Sequence, residues 1–312
     1  MSLLPLIAAL AALSSAAPEP VPSPGPAPMT RPADGTVFSR LVMPDGDGPA
    51  IEAGVWSPPG PVSGLPLVVI SHGNGGDFRS HEDTAQTLAR AGFVVAALTH
   101  TGDNWRDQSR ATDVAARPRQ LSVLIDYMLT GWEGRAAIDP ERVGAFGFSA
   151  GGFTVLTAAG GEADLSRIAE HCRAHPGFYD CRLIAARPVG PETPRWTHDP
   201  RIKAVVVAAP ALGFAFTREG LAAAKQPVQL WQAGSDEVLP APWYVEPVRE
   251  ALPKKPEFHR VDGAGHFDFL RPCTPQLAAA APAICAPTPG FDRAAFHIRF
   301  NDEVVRFLKD RL

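Results

Sequence analysis

The sequence predicts an α/β domain in which a mostly parallel, twisted sheet carries helices on both faces. Continuously apolar runs such as LPLVVI (65–70) and FVVAAL (93–98) are typical of strands that are buried on both faces. Segments with helical spacing separate these runs, and repeated strand–helix alternation produces parallel strands joined by right-handed crossovers. Hydrophobic residues make up 45% of the 312 residues, which supplies enough apolar surface for one large core.

The predicted elements begin at residue 36. Two strands flank the turn-rich segment PDGDGP (44–49), because apolar and β-branched residues precede and follow it. The last helix is amphipathic, with Phe296, Phe300, Val304 and Leu308 on one face. The predicted strands are 36–42, 51–57, 65–70, 93–98, 142–148, 202–209, 228–233 and 257–261, and the predicted helices are 81–91, 111–129, 150–159, 240–252 and 294–308.

Two stretches, at about 161–200 and 271–290, interrupt this alternation and contain much of the remaining Pro. We interpret both as insertions that cover the carboxyl edge of the sheet, where ligands bind in open α/β folds. We expect residues 35–312, including both insertions, to form one domain.

The N-terminal segment has the pattern of an export signal. Residues 1–17 contain an apolar run from Leu3 to Leu13 and then small residues suited to cleavage, although no Lys or Arg precedes the run. Residues 18–34 form a Pro-rich linker, because seven of the fifteen residues from 18 to 32 are Pro and such a segment builds no core. We therefore expect a signal peptide, a disordered linker and a periplasmic or secreted protein.

The charge balance and the hydropathy pattern exclude two kinds of partner. Lys and Arg total 29 against 33 Asp and Glu, a formal net charge of -4, which disfavours a nucleic acid bound by phosphate neutralisation. No stretch reaches 18 apolar residues, so we expect no integral membrane segment in the mature chain.

Four cysteines fall into two close pairs, Cys172 with Cys181 and Cys273 with Cys285. An even count in an exported protein favours disulfides, and proximity suggests these pairings, although three connectivities are possible. The spacing does not fit a zinc site, so we predict no metal. Each bridge would join the ends of a segment within an irregular, Pro-rich stretch.

Ser149 stands between a predicted strand and a predicted helix. The segment GFSAG (147–151) fits the G-x-S-x-G pattern of a nucleophile elbow, in which a strained turn lifts a serine hydroxyl above the sheet. The two glycines leave room where the chain reverses, and the hydroxyl lies at the positive end of the following helix. The alternative is an ordinary serine in a tight turn.

A nucleophilic serine needs a base and an acid that orients the base. His266 follows the last predicted strand in the loop VDGAGHFDF (261–269), at the sheet edge that Ser149 shares. Asp236 follows the strand VQLWQA and precedes His266 by 30 residues. The rival acids are Glu237 and Asp262. Other histidines fit less well: His259 lies within a strand, His297 lies on the last helix, and a pocket-rim role stays open for His171, His175 or His198.

Two backbone amides are candidates for an oxyanion hole, which stabilises the negative charge of the reaction intermediate. One is the N–H of Ala150, and the other is the N–H of Asn74 in the Gly-rich turn SHGNGG (71–76). This turn lacks the G-K-[ST] and G-x-G-x-x-G patterns of nucleotide-binding loops. His72 is expected to order the turn. His100, Asp103 and Trp105 either line the pocket or form a satisfied loop network.

Five segments carry a resemblance that extends over about residues 36–312. They are SHGNGG (71–76), GFSAGG (147–152), AGSDEVLP (233–240), GAGHFDF (263–269), and the Cys273–Cys285 region with GFDRAAFH (290–297). Together they resemble the α/β-hydrolase superfamily, and especially the predicted dienelactone hydrolase-like proteins related to platelet-activating factor acetylhydrolases and polyester hydrolases. The resemblance implies a Ser149–His266–Asp236 triad with Asn74 and Ala150 as oxyanion donors.

The expected function is hydrolysis of a small-molecule or polymeric carboxylic ester through an acyl-enzyme, without a metal or organic cofactor. Dienelactone hydrolases proper use a cysteine nucleophile where this chain has Ser149, so a general ester fits better than a lactone. Two alternatives remain: a peptidase or amidase on the same scaffold, and a binding protein without catalytic activity.

Overall fold

The computed structural model of the chain describes residues 35–189 and 194–312. The expected signal peptide (1–17) and Pro-rich linker (18–34) lie outside the described residues, and so do residues 190–193 of the first expected insertion. The expected domain, which begins at residue 35, is therefore described except for that short gap.

One sheet runs through the described part of the chain. Its strands are β1 (Val37–Asp45), β2 (Gly48–Ser57), β3 (Leu65–Ser71), β4 (Val94–Thr99), β5 (Ile138–Phe148), β6 (Ile202–Ala208), β7 (Val228–Ala233) and β8 (Glu257–Val261). They lie in the order β1-β2-β4-β3-β5-β6-β7-β8. β2 is antiparallel to both of its neighbours, and all other pairs are parallel. The prediction of a mostly parallel sheet is confirmed.

Helices cover both faces of this sheet. They are α1 (Glu82–Arg90), α2 (Ala116–Thr130), α3 (Ala150–Ala158), α4 (Ile168–Ala174), α5 (Tyr179–Ala186), α6 (Val245–Ala251), α7 (Pro275–Ala280), α8 (Pro282–Cys285) and α9 (Arg293–Lys309). Within residues 35–189 and 194–312, none of them combines the length and apolarity that a membrane crossing requires.

Alternate residues of β3 face two separate cores, which explains the continuous apolar run. Leu67 and Val69 belong to a core that includes residues of α2, α3 and α6. Val68 and Ile70 belong to a second core that includes residues of α1 and α9. Because side chains of a strand alternate between faces, a central strand with helices on both sides has no position left for a polar residue.

Two helices begin later than the sequence predicts. α2 begins at Ala116 instead of residue 111, because residues 102–113 form a hydrogen-bonded loop in which the Arg110 N–H donates to Gly102 O at 2.8 Å. α6 begins at Val245 instead of residue 240, since prolines at 240 and 242 disfavour helical backbone in the residues before them.

Both insertions contain short helices that the sequence analysis did not identify. The first carries α4 and α5, which the Cys172–Cys181 disulfide joins. The second carries α7 and α8, and the Cys273–Cys285 disulfide joins its two ends. These helices are only four to eight residues long. Helices of that length are marginal alone, so periodicity is a weak signal for them.

Candidate active site

Ser149 occupies a strained turn between β5 and α3. Its φ is 55° and its ψ is -119°, a conformation that costs an L-residue free energy and is concentrated at functional sites. A Cβ at Gly147 would lie 2.0 Å from Gly151 O, and one at Gly151 would lie 1.9 Å from Ser71 O. Both positions therefore require glycine, as expected for an elbow of this type.

His266 begins a short 3-10 turn after β8 and lies next to Ser149. Its Nε2 is 3.1 Å from Ser149 Oγ, and its Nδ1 is 2.8 Å from Asp236 Oδ2. The His266 side chain is 2% exposed and its ring lies 4.8 Å from that of Phe148, measured between centroids. The three predicted side chains thus form one continuous hydrogen-bonded chain.

The carboxylate of Asp236 is oriented by the turn that follows β7. Its Oδ1 accepts hydrogen bonds from the N–H groups of Val238 at 3.0 Å and Leu239 at 2.7 Å. These bonds hold one oxygen and leave Oδ2 directed at the imidazole. An acid in this position fixes the tautomer of the histidine and stabilises the imidazolium that forms during the reaction.

The two rival acids lie elsewhere. Glu237 contacts the backbone of His266, whose N–H lies 3.4 Å from Glu237 Oε2. Asp262 pairs with Arg260 at 2.9 Å, and its side chain is 89% exposed. Neither carboxylate contacts the imidazole ring of His266 in the described structure.

Asp268 holds the loop that carries His266 through hydrogen bonds to Gly265 and Arg293. Asp268 Oδ2 accepts from the Gly265 N–H at 2.8 Å, and Asp268 Oδ1 accepts from Arg293 Nε at 2.9 Å. Arg293 also donates to Ile284 O at 3.0 Å in the second insertion. The second insertion therefore packs behind the histidine loop.

The two candidate oxyanion donors border the same pocket as Ser149. Asn74 and Ala150 both line it, and the N–H of neither donates to another group in the described part of the chain. A Cβ on Gly73 would lie 3.3 Å from Ser149 Cβ, so the turn passes close to Ser149. Two unpaired amides beside a serine hydroxyl are the donor arrangement that an oxyanion needs.

The pocket beside Ser149 is narrow and mainly apolar, with a cavity volume of about 50 Å³. The first insertion supplies much of its wall, as expected for a cap over the carboxyl edge. One acid, Asp180, also lines it; burial raises the pKa of this carboxyl, and its Oδ1 accepts from the Tyr244 hydroxyl at 2.8 Å. The apolar lining comprises Ala111, Val114, Ile168, Leu183, Ile184, Val189, Ala211, Leu212 and Leu239.

Two buried histidines order the turn after β3. The His100 N–H donates to His72 Nε2 at 3.0 Å, so the His72 proton resides on Nδ1, which donates to Gly73 O at 2.6 Å. Burial, with Arg117 nearby, lowers the pKa of His72 to about 3. Burial also holds the pKa of His100 well below its ordinary value. Both rings are neutral hydrogen-bonding groups at neutral pH.

His100 and Asp103 belong to a satisfied loop network, one of the two roles the sequence left open. His100 bonds to Ser71 Oγ and Gln120 Oε1, each at 2.8 Å. Trp105 is 61% exposed and stacks under Arg106. His100, Asp103 and Trp105 do not line the pocket that contains Ser149, so the prediction that they line this pocket is wrong.

Four of the remaining histidines have structural contacts. His171 and His175 lie in an aromatic cluster and do not line the Ser149 pocket; burial lowers the pKa of His171 to about 4. His259 stacks on Trp231 with ring centroids 4.1 Å apart. His297 lies 2.6 Å from Asp83.

Two groups of side chains in the described residues could be considered for a metal. In the first, His171, Asp180 and Cys181, the sulfur already forms a disulfide. In the second, Glu257, His259 and Glu303, Arg306 forms ion pairs with both carboxylates. Neither group borders the pocket of Ser149 with a free set of ligands.

Comparisons with solved structures decide the fold. A cold-adapted esterase from an Arctic intertidal metagenomic library superposes with a TM-score of 0.52 at 17% identity, covering 82% of this chain and 94% of that one. A ferulic acid esterase from Streptomyces cinnamoneus gives a TM-score of 0.58 at 19% identity, covering 89% of each chain. The chain has the α/β-hydrolase fold.

The sequence comparisons cover shorter regions of the chain. The model of the prolyl oligopeptidase family matches residues 78–205, which include Ser149 but end before Asp236 and His266. A putative esterase, NocK, of Nocardia uniformis subsp. tsuyamanensis is 29% identical over 137 residues. That match spans 42% of this chain and 40% of NocK.

Proposed function

We propose that this protein is a serine hydrolase that cleaves carboxylic esters through an acyl-enzyme intermediate. The observation that carries the proposal is the chain of contacts from Asp236 through His266 to Ser149 at the edge of an apolar pocket. NocK is named a putative esterase and the two solved structures are named esterases, which supports an ester as the substrate class.

The mechanism follows from the positions of the three side chains. His266 Nε2 takes the proton of Ser149 Oγ as the oxygen attacks the ester carbonyl. The carbonyl oxygen becomes negatively charged and accepts hydrogen bonds from the N–H groups of Asn74 and Ala150. His266 then protonates the leaving alcohol. A water molecule, deprotonated by the same imidazole, attacks the acyl-enzyme, and Ser149 recovers its proton as the acid leaves.

The pocket volume favours a short acyl group. An engineered apolar cavity of roughly 150 Å³ holds benzene, whereas the cavity here has a volume of about 50 Å³. Apolar walls stabilise an alkyl chain by removing its surface from water. We therefore expect acetyl to butyryl esters to be better substrates than esters with long acyl chains.

A peptidase or amidase is the second candidate, because the family model that matches residues 78–205 is that of prolyl oligopeptidases. Hydrolysis of a p-nitrophenyl ester and of the p-nitroanilide with the same acyl group separates the two. An ester preference supports the first proposal, and faster cleavage of the anilide supports the second.

Export of the protein is part of the proposal. The apolar run Leu3–Leu13 supports a cleaved signal, and two disulfides support an oxidising compartment. The N-terminal residue of the protein recovered from the culture medium or periplasm, identified by mass spectrometry, tests this. A chain that begins at Met1 and remains in the cytoplasm would contradict it.

Covalent labelling tests the central proposal. A fluorophosphonate should label the wild type and not Ser149→Ala, and the variant should lose at least about 1,000-fold in kcat. Ser166→Ala, which changes an exposed serine of the first insertion, is the matched control and should be labelled and active. A folded wild type that neither reacts with the probe nor hydrolyses short esters contradicts the proposal.

A further inference from the structure

We propose that Arg117, acting with Asp103, is a positioning residue that fixes the separation of the two oxyanion-hole amides. The inference rests on the proposed function, because those amides matter only if Ser149 forms an oxyanion. Nothing in the sequence motifs points to Arg117, which lies in the first turn of α2 and is not one of the residues that line the pocket.

Arg117 is a fully enclosed guanidinium with a partner on each nitrogen. Its side chain is 2% exposed. Nη1 pairs with Asp103 Oδ2, Nη2 donates to His72 O, and Nε donates to Thr154 Oγ1 at 3.0 Å. A guanidinium presents its donors in one rigid plane, so these three acceptors are held at fixed positions relative to one another.

The first connection leads to the amide of Asn74. Asp103 Oδ1 accepts from the Gly75 N–H at 3.0 Å and from Asn74 Nδ2 at 2.6 Å. Arg117 itself holds His72 O on the other side of the same turn. Hydrogen bonds to His72 O and from the Gly75 N–H therefore hold the backbone on both sides of Asn74, and Asp103 also holds the Asn74 side chain.

The second connection leads to the amide of Ala150. Thr154 Oγ1, which accepts from Arg117 Nε, donates to Ala150 O at 2.7 Å. Ala150 is the first residue of α3, and its N–H is the second candidate donor. One guanidinium thus links the turn after β3 to the start of α3, and the two donors lie on those two segments.

The desolvation cost of the Arg117–Asp103 ion pair distinguishes it from a contact between apolar core residues. Burial lowers the pKa of Arg117, while Asp103 opposes that effect, so the ion pair must compensate for a large desolvation cost. Apolar residues of similar volume often stabilise a fold as well as a buried ion pair does. A rigid fork with several donors is useful when distances between backbone segments have to be held closely, as oxyanion geometry requires.

A second ion pair that contains a buried carboxylate provides the control. Asp199 pairs with Arg201 through two hydrogen bonds of 2.8 and 2.6 Å, and its side chain is 1% exposed. It precedes β6, at the edge of the sheet opposite Ser149. Asp199→Asn and Asp103→Asn therefore each remove the charge of a buried carboxylate that is paired with an arginine, but only Asp103 contacts the turn that carries Asn74.

The experiment compares the wild type with Asp103→Asn, Arg117→Lys and Asp199→Asn. Arg117→Lys keeps the positive charge but cannot reach three acceptors at once, so it tests positioning even if Asp103→Asn folds poorly. Each folded protein is assayed for kcat and KM on p-nitrophenyl acetate, and for the Ki of a trifluoromethyl ketone, whose adduct with a serine carries an oxyanion. Circular dichroism gives the Tm of each variant.

We expect kcat to fall about 10- to 100-fold in Asp103→Asn and Arg117→Lys, because small displacements of oxyanion donors have effects of this size. KM should change less than about threefold, and the Ki of the ketone should rise by the factor by which kcat/KM falls. Asp199→Asn should lose stability but keep its kcat.

Unchanged kcat and Ki in folded Arg117→Lys and Asp103→Asn would overturn the inference, and so would an equal loss of kcat in Asp199→Asn. An inactive wild type that does not react with the ketone is a different result. It contradicts the proposed function itself, and the inference with it, whereas a failure confined to the variants leaves the proposed function intact.

Discussion

Tyr179 of the first insertion donates a hydrogen bond from its hydroxyl to Asn74 Oδ1. The side chain of Asn74 is therefore held from two directions, since its Nδ2 donates to Asp103 Oδ1. Tyr179 also lines the pocket beside Ser149. The cap of the pocket is thus attached directly to the turn whose amide is a candidate oxyanion donor.

Removal of this hydroxyl should weaken catalysis moderately. In Tyr179→Phe we expect kcat/KM for short esters to fall about three- to tenfold, because one hydrogen bond contributes roughly 1 kcal/mol and Asp103 still holds Asn74. Steady-state kinetics on p-nitrophenyl acetate measure the effect. Burial raises the pKa of Tyr179 above its ordinary value, so the wild-type hydroxyl stays a donor up to about pH 10. We expect the Tyr179 contact to Asn74 to matter less than the Asp103 contact. A loss as large as that expected for Asp103→Asn would contradict this expectation.

The two disulfides should have different effects on activity. Replacing Cys172 and Cys181 by Ser removes the bond between α4 and α5, whose residues line the pocket, so we expect selectivity for short acyl groups to weaken. Replacing Cys273 and Cys285 affects the region behind the His266 loop, so kcat should fall while acyl selectivity stays. Each double variant should lose about 2–4 kcal/mol of unfolding free energy. Kinetics on esters from acetyl to octanoyl measure both effects, and identical profiles in the two variants would contradict this assignment.

Enlarging the pocket should shift the acyl preference. Ile168 is buried and lines the pocket, and Ile168→Ala should raise kcat/KM for hexanoyl and octanoyl esters relative to acetyl. Each methylene that gains apolar contact contributes about 0.8 kcal/mol, or roughly a fourfold effect. Val248→Ala is the control, since Val248 belongs to the core under α6 and does not line the pocket. A shift of the same size in Val248→Ala would indicate general loosening instead of a change in the pocket.

The stability of the fold should fall on mild acidification. Burial lowers the pKa of His81 to about 3, and neither ring nitrogen has a hydrogen-bond partner in the described structure. The unfolded chain binds a proton at His81 near pH 6.5, and the folded chain does not. The stability that the buried neutral imidazole of His81 contributes is therefore fully present above pH 6.5 and is lost as the pH falls towards 3. The slope approaches about 1.4 kcal/mol per pH unit for one such histidine.

His81→Phe should reduce this dependence. The variant places an apolar ring beside Phe146 and Phe148, which the imidazole contacts in the wild type. Urea unfolding at pH 7 and pH 5 gives the difference in unfolding free energy for each protein, and a uniform packing effect cancels in that difference. An equal pH dependence in both proteins would show that His81 does not titrate as its burial implies.

The sequence predicted the sheet and the three side chains of the candidate triad because each depends on local patterns. Ser149, Asp236 and His266 each follow a predicted strand, and the carboxyl ends of parallel strands meet at one edge. Tyr179 was not predicted, since its bond to Asn74 joins residues 105 positions apart and depends on the conformation of a Pro-rich insertion. Arg117 was not predicted because an arginine near the start of an amphipathic helix is usually exposed, and only its three distant acceptors explain its burial.

The separation of the pocket wall from the reacting groups has a consequence for divergence among related proteins. The side chains that would break the ester bond belong to turns at the ends of sheet strands, whereas much of the surface that would select the acyl group belongs to one disulfide-bonded insertion. Mutations and length changes in that insertion can therefore alter which esters enter without displacing the bond-breaking groups. A protein of this design can change its substrate through one segment while the rest of the chain is retained.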